Sequence, residues 1–211
     1  MANIEYFYAA YSGYAYLGSA RFYEIAKTAN RNIIHRPVDL REVVKVMAPS
    51  AFNKRSKAHI AYFFGREIKR WSEFRNAPVL DSTPTHHNND ITLPNCMLIA
   101  GMEQGNNIDR LAHAMLEGHW RDDADLADYD ALLKIGNSVD LDARSLLDHA
   151  ISPEIQAIYK ANTEEAIERS VFGSPTYFVD GDMFYGQDRL EMVERALQKP
   201  FAGKWPPTPK P

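Results

Sequence analysis

The segment SVFGSPTYFVDGDMFYGQDRL, residues 170–190, restricts the fold of this chain more than any other stretch. Pro175 removes a backbone donor at the entrance of an apolar strand, Thr176 to Val179, and an X-Pro bond in such a tight connection is the setting in which a cis peptide persists. Asp180-Gly181 reads as a two-residue hairpin turn, Met183 to Tyr185 as the returning strand, and Gly186-Gln187-Asp188 as a helix start with Asp188 at the N-cap. A cis proline would leave the backbone of Ser174 free to pair with an extended chain from outside. The unpaired amides of a helix start attract carboxylates and other anions. A peptide strand and an anion are therefore what this stretch is suited to hold.

The rest of the chain supplies the frame. Ile4 to Ala9 is an aromatic-rich strand, Tyr11 to Tyr14 a turn, Ser19 to Ala26 a helix, and Ile33 to Asp39 a second strand. A strand, a helix and a strand of these lengths form a right-handed βαβ unit. A short helix from Leu40 to Ala48 ends at Pro49-Ser50. Residues 51–58 read as a polar loop, His59 to Phe74 as a helix, and residues 76–94, with Pro78, Pro84 and Pro94, as a long loop. Helical patterns over 95–120, 128–136, 140–150 and 153–169 follow with no strand between them, the last opening on Ser152-Pro153 as cap and first turn. Lys199 to Pro211 reads as a proline-rich, extended tail.

With 211 residues the chain is long enough for one domain with an inserted subdomain. A formal net charge of -4 gives no electrostatic case for nucleic acid or a membrane surface. No basic segment followed by an apolar run opens the sequence, and no stretch approaches the run of about 18 apolar residues that a spanning helix needs, so a cytoplasmic address is expected. The single cysteine, Cys96, cannot pair within the chain and leaves no dithiol or zinc set, so thiol chemistry here needs a thiol from a ligand. His86 and His87, adjacent in a polar loop without a third ligand, read as surface residues, and no metal is expected. Arg189 reads either as a solvated helix charge or as a carboxylate partner.

The order βαβ, helices, ββα with a proline before the third strand resembles a thioredoxin-like α/β fold with an inserted all-helical subdomain, as in the DsbA-like and kappa-class glutathione transferase group. Within it the chain is most similar to the 2-hydroxychromene-2-carboxylate isomerase family. The matching stretches are EYFYAAYSGYAYLGSA, EIKRW, GHWRDDADL, VDLD and, above all, FGSPTYFVDGDMFYGQDRLEMVERAL. The resemblance implies a thioredoxin-like domain over 1–48 and 171–199, a helical insertion over 49–170, and a tail over 200–211. It further implies that glutathione lies with its peptide against Ser174 and Pro175, its γ-glutamyl carboxylate at Gly186, Gln187 and Asp188, and its thiol toward Ser12, with Asn53 nearby. The chain departs from the family where Gly13 replaces a proline after the serine. It departs again at Ile60, near the place of a family lysine, which leaves Lys54, Lys57 and His59 as neighbouring substitutes.

A redox enzyme of this fold needs a cysteine in the first loop, and this chain has Ser12 there. A hydroxyl can donate to a bound thiolate and lower the thiol's pKa. The expected activity is a glutathione-dependent cis-trans isomerisation of an aromatic or conjugated carbonyl acid, without nucleic acid or membrane partners and in a homodimer, as relatives of this fold commonly form. The alternatives are a kappa-like glutathione transfer to another electrophile and a non-catalytic glutathione-binding scaffold.

Overall fold

The structure, a computed structural model, describes residues 3–48, 55–203, 205 and 206. Four strands form one mixed sheet in the order β2-β1-β3-β4. Strand β1 (Ile4–Tyr8) is parallel to β2 (Ile33–Pro37), with Tyr6 opposite His35, and antiparallel to β3 (Thr176–Val179), with Tyr6 opposite Tyr177. Strand β4 (Asp182–Tyr185) returns along β3 through a turn in which Asp180 (φ 50°) and Gly181 (φ 88°) are both left-handed, as a two-residue hairpin requires.

The central strand is covered on both faces, so it reads as a near-continuous apolar run rather than an alternating one. Ile4, Tyr6, Tyr8, Tyr177 and Val179 belong to the large core, whereas Phe7 and Phe178 pack on the other face with Val38, Val43, Ala166 and Val171. His35, buried among the tyrosines, is satisfied by the Tyr8 hydroxyl at 2.9 Å and the Asp109 carboxylate at 2.8 Å.

Helix α1 (Gly13–Thr28) crosses between β1 and β2. It begins six residues before the expected Ser19 because Ser12 caps it; the periodic signal is hidden at this end, where Gly13, Ala15, Tyr16, Leu17, Gly18 and Ser19 are all buried. Helix α2 (Leu40–Met47) is capped by Asp39, whose carboxylate accepts from the amides of Arg41 and Glu42. Next come α3 (Lys57–Ile60), a π-helical stretch (Ala61–Arg66) and α4 (Glu67–Arg75), closed by left-handed Asn76. Helix α5 (Thr92–Glu103) starts inside the expected long loop, since proline is tolerated in a first turn and Pro94 sits there. Helices α6 (Asp109–Asp122), α7 (Tyr129–Ser138), α8 (Ala143–Ala150) and α9 (Pro153–Glu168) lead to β3. A 3-10 turn (Gln187–Arg189) opens α10 (Leu190–Gln198).

One apolar cluster runs from Ile4 and Tyr8 through Leu98, Leu111 and Leu116 to Leu146, so sheet and helices share a core. Arg169, at the end of α9, fastens β1 through a forked pair with Glu5 at 2.7 and 2.8 Å and lies 4.0 Å over the Phe178 ring. Of the tail, Trp205 packs against Phe172. Among the described residues no helix is long and apolar enough to cross a membrane.

Candidate functional site

The turn from Ala9 to Ser12 joins β1 to α1, and its backbone is held from several directions. Ala9 N donates to Ser174 Oγ (3.2 Å), Ala10 N to Asn95 Oδ1 (3.0 Å), and Ser12 N to Ala9 O (3.0 Å). Trp120 Nε1 donates to Tyr11 O at 2.8 Å. Ser12 is buried, and its hydroxyl has two tasks. It accepts from Ala15 N as the helix cap (3.3 Å) and donates to the carbonyl of Ser174 (3.3 Å). Asn95 is fully buried, and its Nδ2 donates to Val38 O and to the Tyr159 hydroxyl, so one amide ties the turn to the residue that follows β2 and to α9.

The Ser174–Pro175 peptide is cis. The Ser174 carbonyl accepts from the Ser12 hydroxyl and the Ser174 hydroxyl accepts from the Ala9 amide, because the first turn runs directly against it. From Pro175 the connection passes to the helix start, where Gly186 N donates to Pro175 O at 2.9 Å. Gly186 adopts φ 103°, a conformation that favours glycine.

Asp188 is not the N-cap that the sequence suggests. Gly186 lets a 3-10 turn begin at Gln187, closed by Arg189 N to Gly186 O (3.1 Å), so Asp188 lies inside that turn and pairs with Arg189 at 2.8 Å. The first-turn amides of Gln187 and Asp188 are donors that a helix start leaves without an intrahelical acceptor. Gln187 is 1% exposed, and its Nε2 is buried without a partner. Ser12, Ser174, Pro175 and Gly186 are thus joined by hydrogen bonds and peptide links, with Gln187 and Asp188 continuing the line. Asn53, Lys54 and the remainder of 49–54 lie outside the described residues.

Two groups border this line. The Tyr14 hydroxyl donates to Phe63 O in the π-helical stretch at 2.6 Å, and burial raises its pKa. On the Tyr11 side, His87 is not the surface residue expected of the polar loop. Its Nδ1 lies 3.1 Å from Nε2 of buried His119, whose Nδ1 is 3.0 Å from Ala124 O. A carbonyl can only accept, so the network assigns the His119 proton to Nδ1 and makes His87 Nδ1 the donor to His119 Nε2. The His87 ring stands 4.8 Å from Tyr11 and 5.4 Å from Trp120, and burial, followed by the nearby His119 and Arg41, pushes it down to about 4. Cys96 is buried, and that burial pushes its thiol up to about 11, which keeps it protonated and unreactive. Among the described residues no group of His, Cys, Asp and Glu could hold a metal ion.

Sequence reading assigns no role to Asn95 or Trp120. The one signal for Asn95 is a lone amide in the apolar run Pro94 to Gly101, and Trp120 offers none beyond its place in GHWRDDADL.

A family model described as the DSBA-like thioredoxin domain matches residues 3–198. The 2-hydroxychromene-2-carboxylate isomerase of Sphingobium xenophagum is 25% identical over 203 residues, covering 92% of this chain and 97% of that protein. Among solved structures, a 2-hydroxychromene-2-carboxylate isomerase superposes with a TM-score of 0.74 at 21% identity, covering 93% of this chain and 94% of that one. The cytosolic disulfide reductase DsbM of Pseudomonas aeruginosa, determined with GSH, superposes with a TM-score of 0.62 at 12% identity, covering 94% and 93%.

Proposed function

This chain belongs to the DSBA-like thioredoxin domain family, and we propose that it is a glutathione-dependent cis-trans isomerase of conjugated aromatic carbonyl acids. The observation that carries the reading is the Ser12 hydroxyl, which caps α1 and points at the carbonyl before the cis proline in a turn that contains no cysteine. The names of the relatives support an isomerase. Support for glutathione comes from donors and acceptors that suit a peptide thiol: a hydroxyl at one end, the Ser174 carbonyl before the cis proline in the middle, and the first-turn amides of a helix start with a buried orphan Gln187 Nε2 at the other end.

When bound, glutathione supplies a thiolate that can add reversibly to a conjugated carbonyl and so permit rotation about the former double bond. Ser12 donates its hydroxyl proton toward that sulfur and favours the ionised form. Ser174 and Pro175 hold the peptide in an extended pose. Gly186, Gln187 and Asp188 receive the γ-glutamyl end, the amides facing its carboxylate and the Asp188 carboxylate its ammonium. Asn53 is assigned to the same ligand. In this reading the segments 1–48 and 171–199 carry glutathione, and the insertion over 49–170 covers the aromatic substrate.

Calorimetry with glutathione and the ultraviolet absorbance of its thiolate test the assignment. The wild type binds and lowers the thiol pKa, whereas Ser12→Ala binds and leaves the pKa higher by about one unit or more, the equivalent of one hydrogen bond to a charged group. Isomerisation falls in parallel, with glutathione conserved. Stoichiometric loss of glutathione would instead identify a transferase, and an unchanged thiol pKa in the wild type would leave a binding protein only.

A further inference from the structure

We propose that Arg75 is a positioning residue that fixes the Gly186–Asp188 turn from the inserted helices and thereby sets selectivity for a γ-glutamyl group; this rests on the reading of that turn as the γ-glutamyl anchor. Arg75 closes α4, and its side chain is only 10% exposed. Its guanidinium lies 5.4 Å from each of the Trp71 and Phe74 ring centroids, so its plane is set before it meets the turn. Nε donates to Gln187 Oε1 (3.4 Å), one terminal nitrogen to Gln187 O (3.4 Å), and the other pairs with Glu191 Oε1 at 3.1 Å. Three acceptors, two on the turn and one on the first turn of α10, are met by one rigid fork. A lysine ammonium on a flexible stem cannot reproduce that arrangement.

The opposite side of the turn is equally constrained. A Cβ on Gly18 of α1 would stand 2.6 Å from Gln187 Cβ, so Gln187 is pressed against that helix without clearance. Gln187 is therefore held between α1 and Arg75, and its side-chain oxygen is spent on Arg75 while Nε2 keeps an unused donor. The amides of Gln187 and Asp188 keep their direction because the residue between Gly186 and Asp188 cannot swing either way. Arg75 also brings a positive charge beside a turn whose neighbouring carboxylates, Asp188 and Glu191, would otherwise repel an incoming one. Arg189 offsets the charge of Asp188 through one of its two oxygens, and Arg75 offsets that of Glu191.

The test compares glutathione with cysteinylglycine, which keeps the thiol and the cis-proline pairing but lacks the γ-glutamyl group. In Arg75→Met the affinity for glutathione falls about tenfold, the equivalent of one charge-assisted hydrogen bond network. The affinity for cysteinylglycine holds. Without any ligand, hydrogen exchange at the amides of Arg189 and Leu190, which close the turn, becomes faster. Arg75→Lys keeps the charge and gives the same direction of change, which secures the test if the methionine variant folds poorly. Equal losses for both thiols, or unchanged exchange in the free protein, overturn the role of Arg75. A wild type that shows no preference for glutathione over cysteinylglycine overturns the anchor reading and this inference with it. A wild-type preference that survives both substitutions overturns the part given to Arg75 alone.

Discussion

Trp120 occupies the space that a side chain at Gly13 would need. A Cβ on Gly13 falls 2.6 Å from Trp120 Cζ2 and 2.8 Å from Cε2, and the indole cannot retreat without giving up its 2.8 Å bond to Tyr11 O. Gly13 is accordingly buried and packed, with the ring of a distant helix standing against the first residue of α1.

Gly13→Ala therefore costs about 1–3 kcal/mol by overpacking against a rigid ring, although alanine is the better helix former. The same substitution in a Trp120→Ala background costs markedly less. Urea unfolding of the four proteins as a double-mutant cycle checks this, and additive effects would deny the contact.

Asn95→Ala removes the acceptor of Ala10 N and the donor to Val38 O and the Tyr159 hydroxyl in one step. The expected loss is about 2–3 kcal/mol, because buried partners are left unmet. Denaturant midpoints report it, and exchange of the Ala10 amide should quicken well beyond that of the other β1 amides.

Ser12→Ala deletes the cap of α1 and costs about 1 kcal/mol. Ala15 N loses its acceptor and Ser174 O its donor, while the Gly186–Asp188 end of the proposed site keeps all its partners. Thermal unfolding with and without glutathione separates the cap from the ligand effect: the glutathione-induced rise in Tm should shrink as well as the Tm itself.

Acid should weaken the fold through His87. Its folded pKa is depressed to about 4 by burial, His119 and Arg41, from an ordinary 6.5. Between those values the unfolded chain binds a proton that the folded one refuses, so stability falls as pH drops from about 6.5 to 4 and rises again on neutralisation. The contribution is on the order of 2 kcal/mol after allowance for partial exposure. His87→Phe, compared with wild type by urea unfolding at pH 7 and pH 5, should flatten that slope; an undiminished slope assigns it to other groups.

The hairpin and its flanks were legible because their signals are local. Asp180-Gly181 needs two left-handed residues, and an apolar run enters on a proline, so strand, turn and strand follow from neighbours in sequence. The start of α1 was not legible, since a helix buried around its first turns carries no amphipathic stripe. Asp188 misled for the converse reason. It has the chemistry of a cap, but the φ of Gly186 decided where the turn begins. Asn95, Trp120 and His87 act across separations of 85, 109 and 32 residues, and no local pattern marks a partner so distant. Gly13 shows the limit most plainly, because its reason for being glycine is a tryptophan on α6.

The Ser12 hydroxyl donates to the Ser174 carbonyl within the protein itself. On the proposed reading, an arriving peptide thiol makes the two serines exchange partners: the serine hydroxyl turns its donor from a carbonyl to a sulfur, and the vacated carbonyl must find another donor. A ligand bearing both a backbone N–H and a thiolate keeps the count of hydrogen bonds constant. A simple thiol such as ethanethiol supplies the acceptor without the donor and strands the Ser174 carbonyl, a loss of about 1–3 kcal/mol. The resting stitch between two serines thus acts as a selectivity filter, admitting thiols that come attached to a peptide and charging all others for the bond they cannot replace.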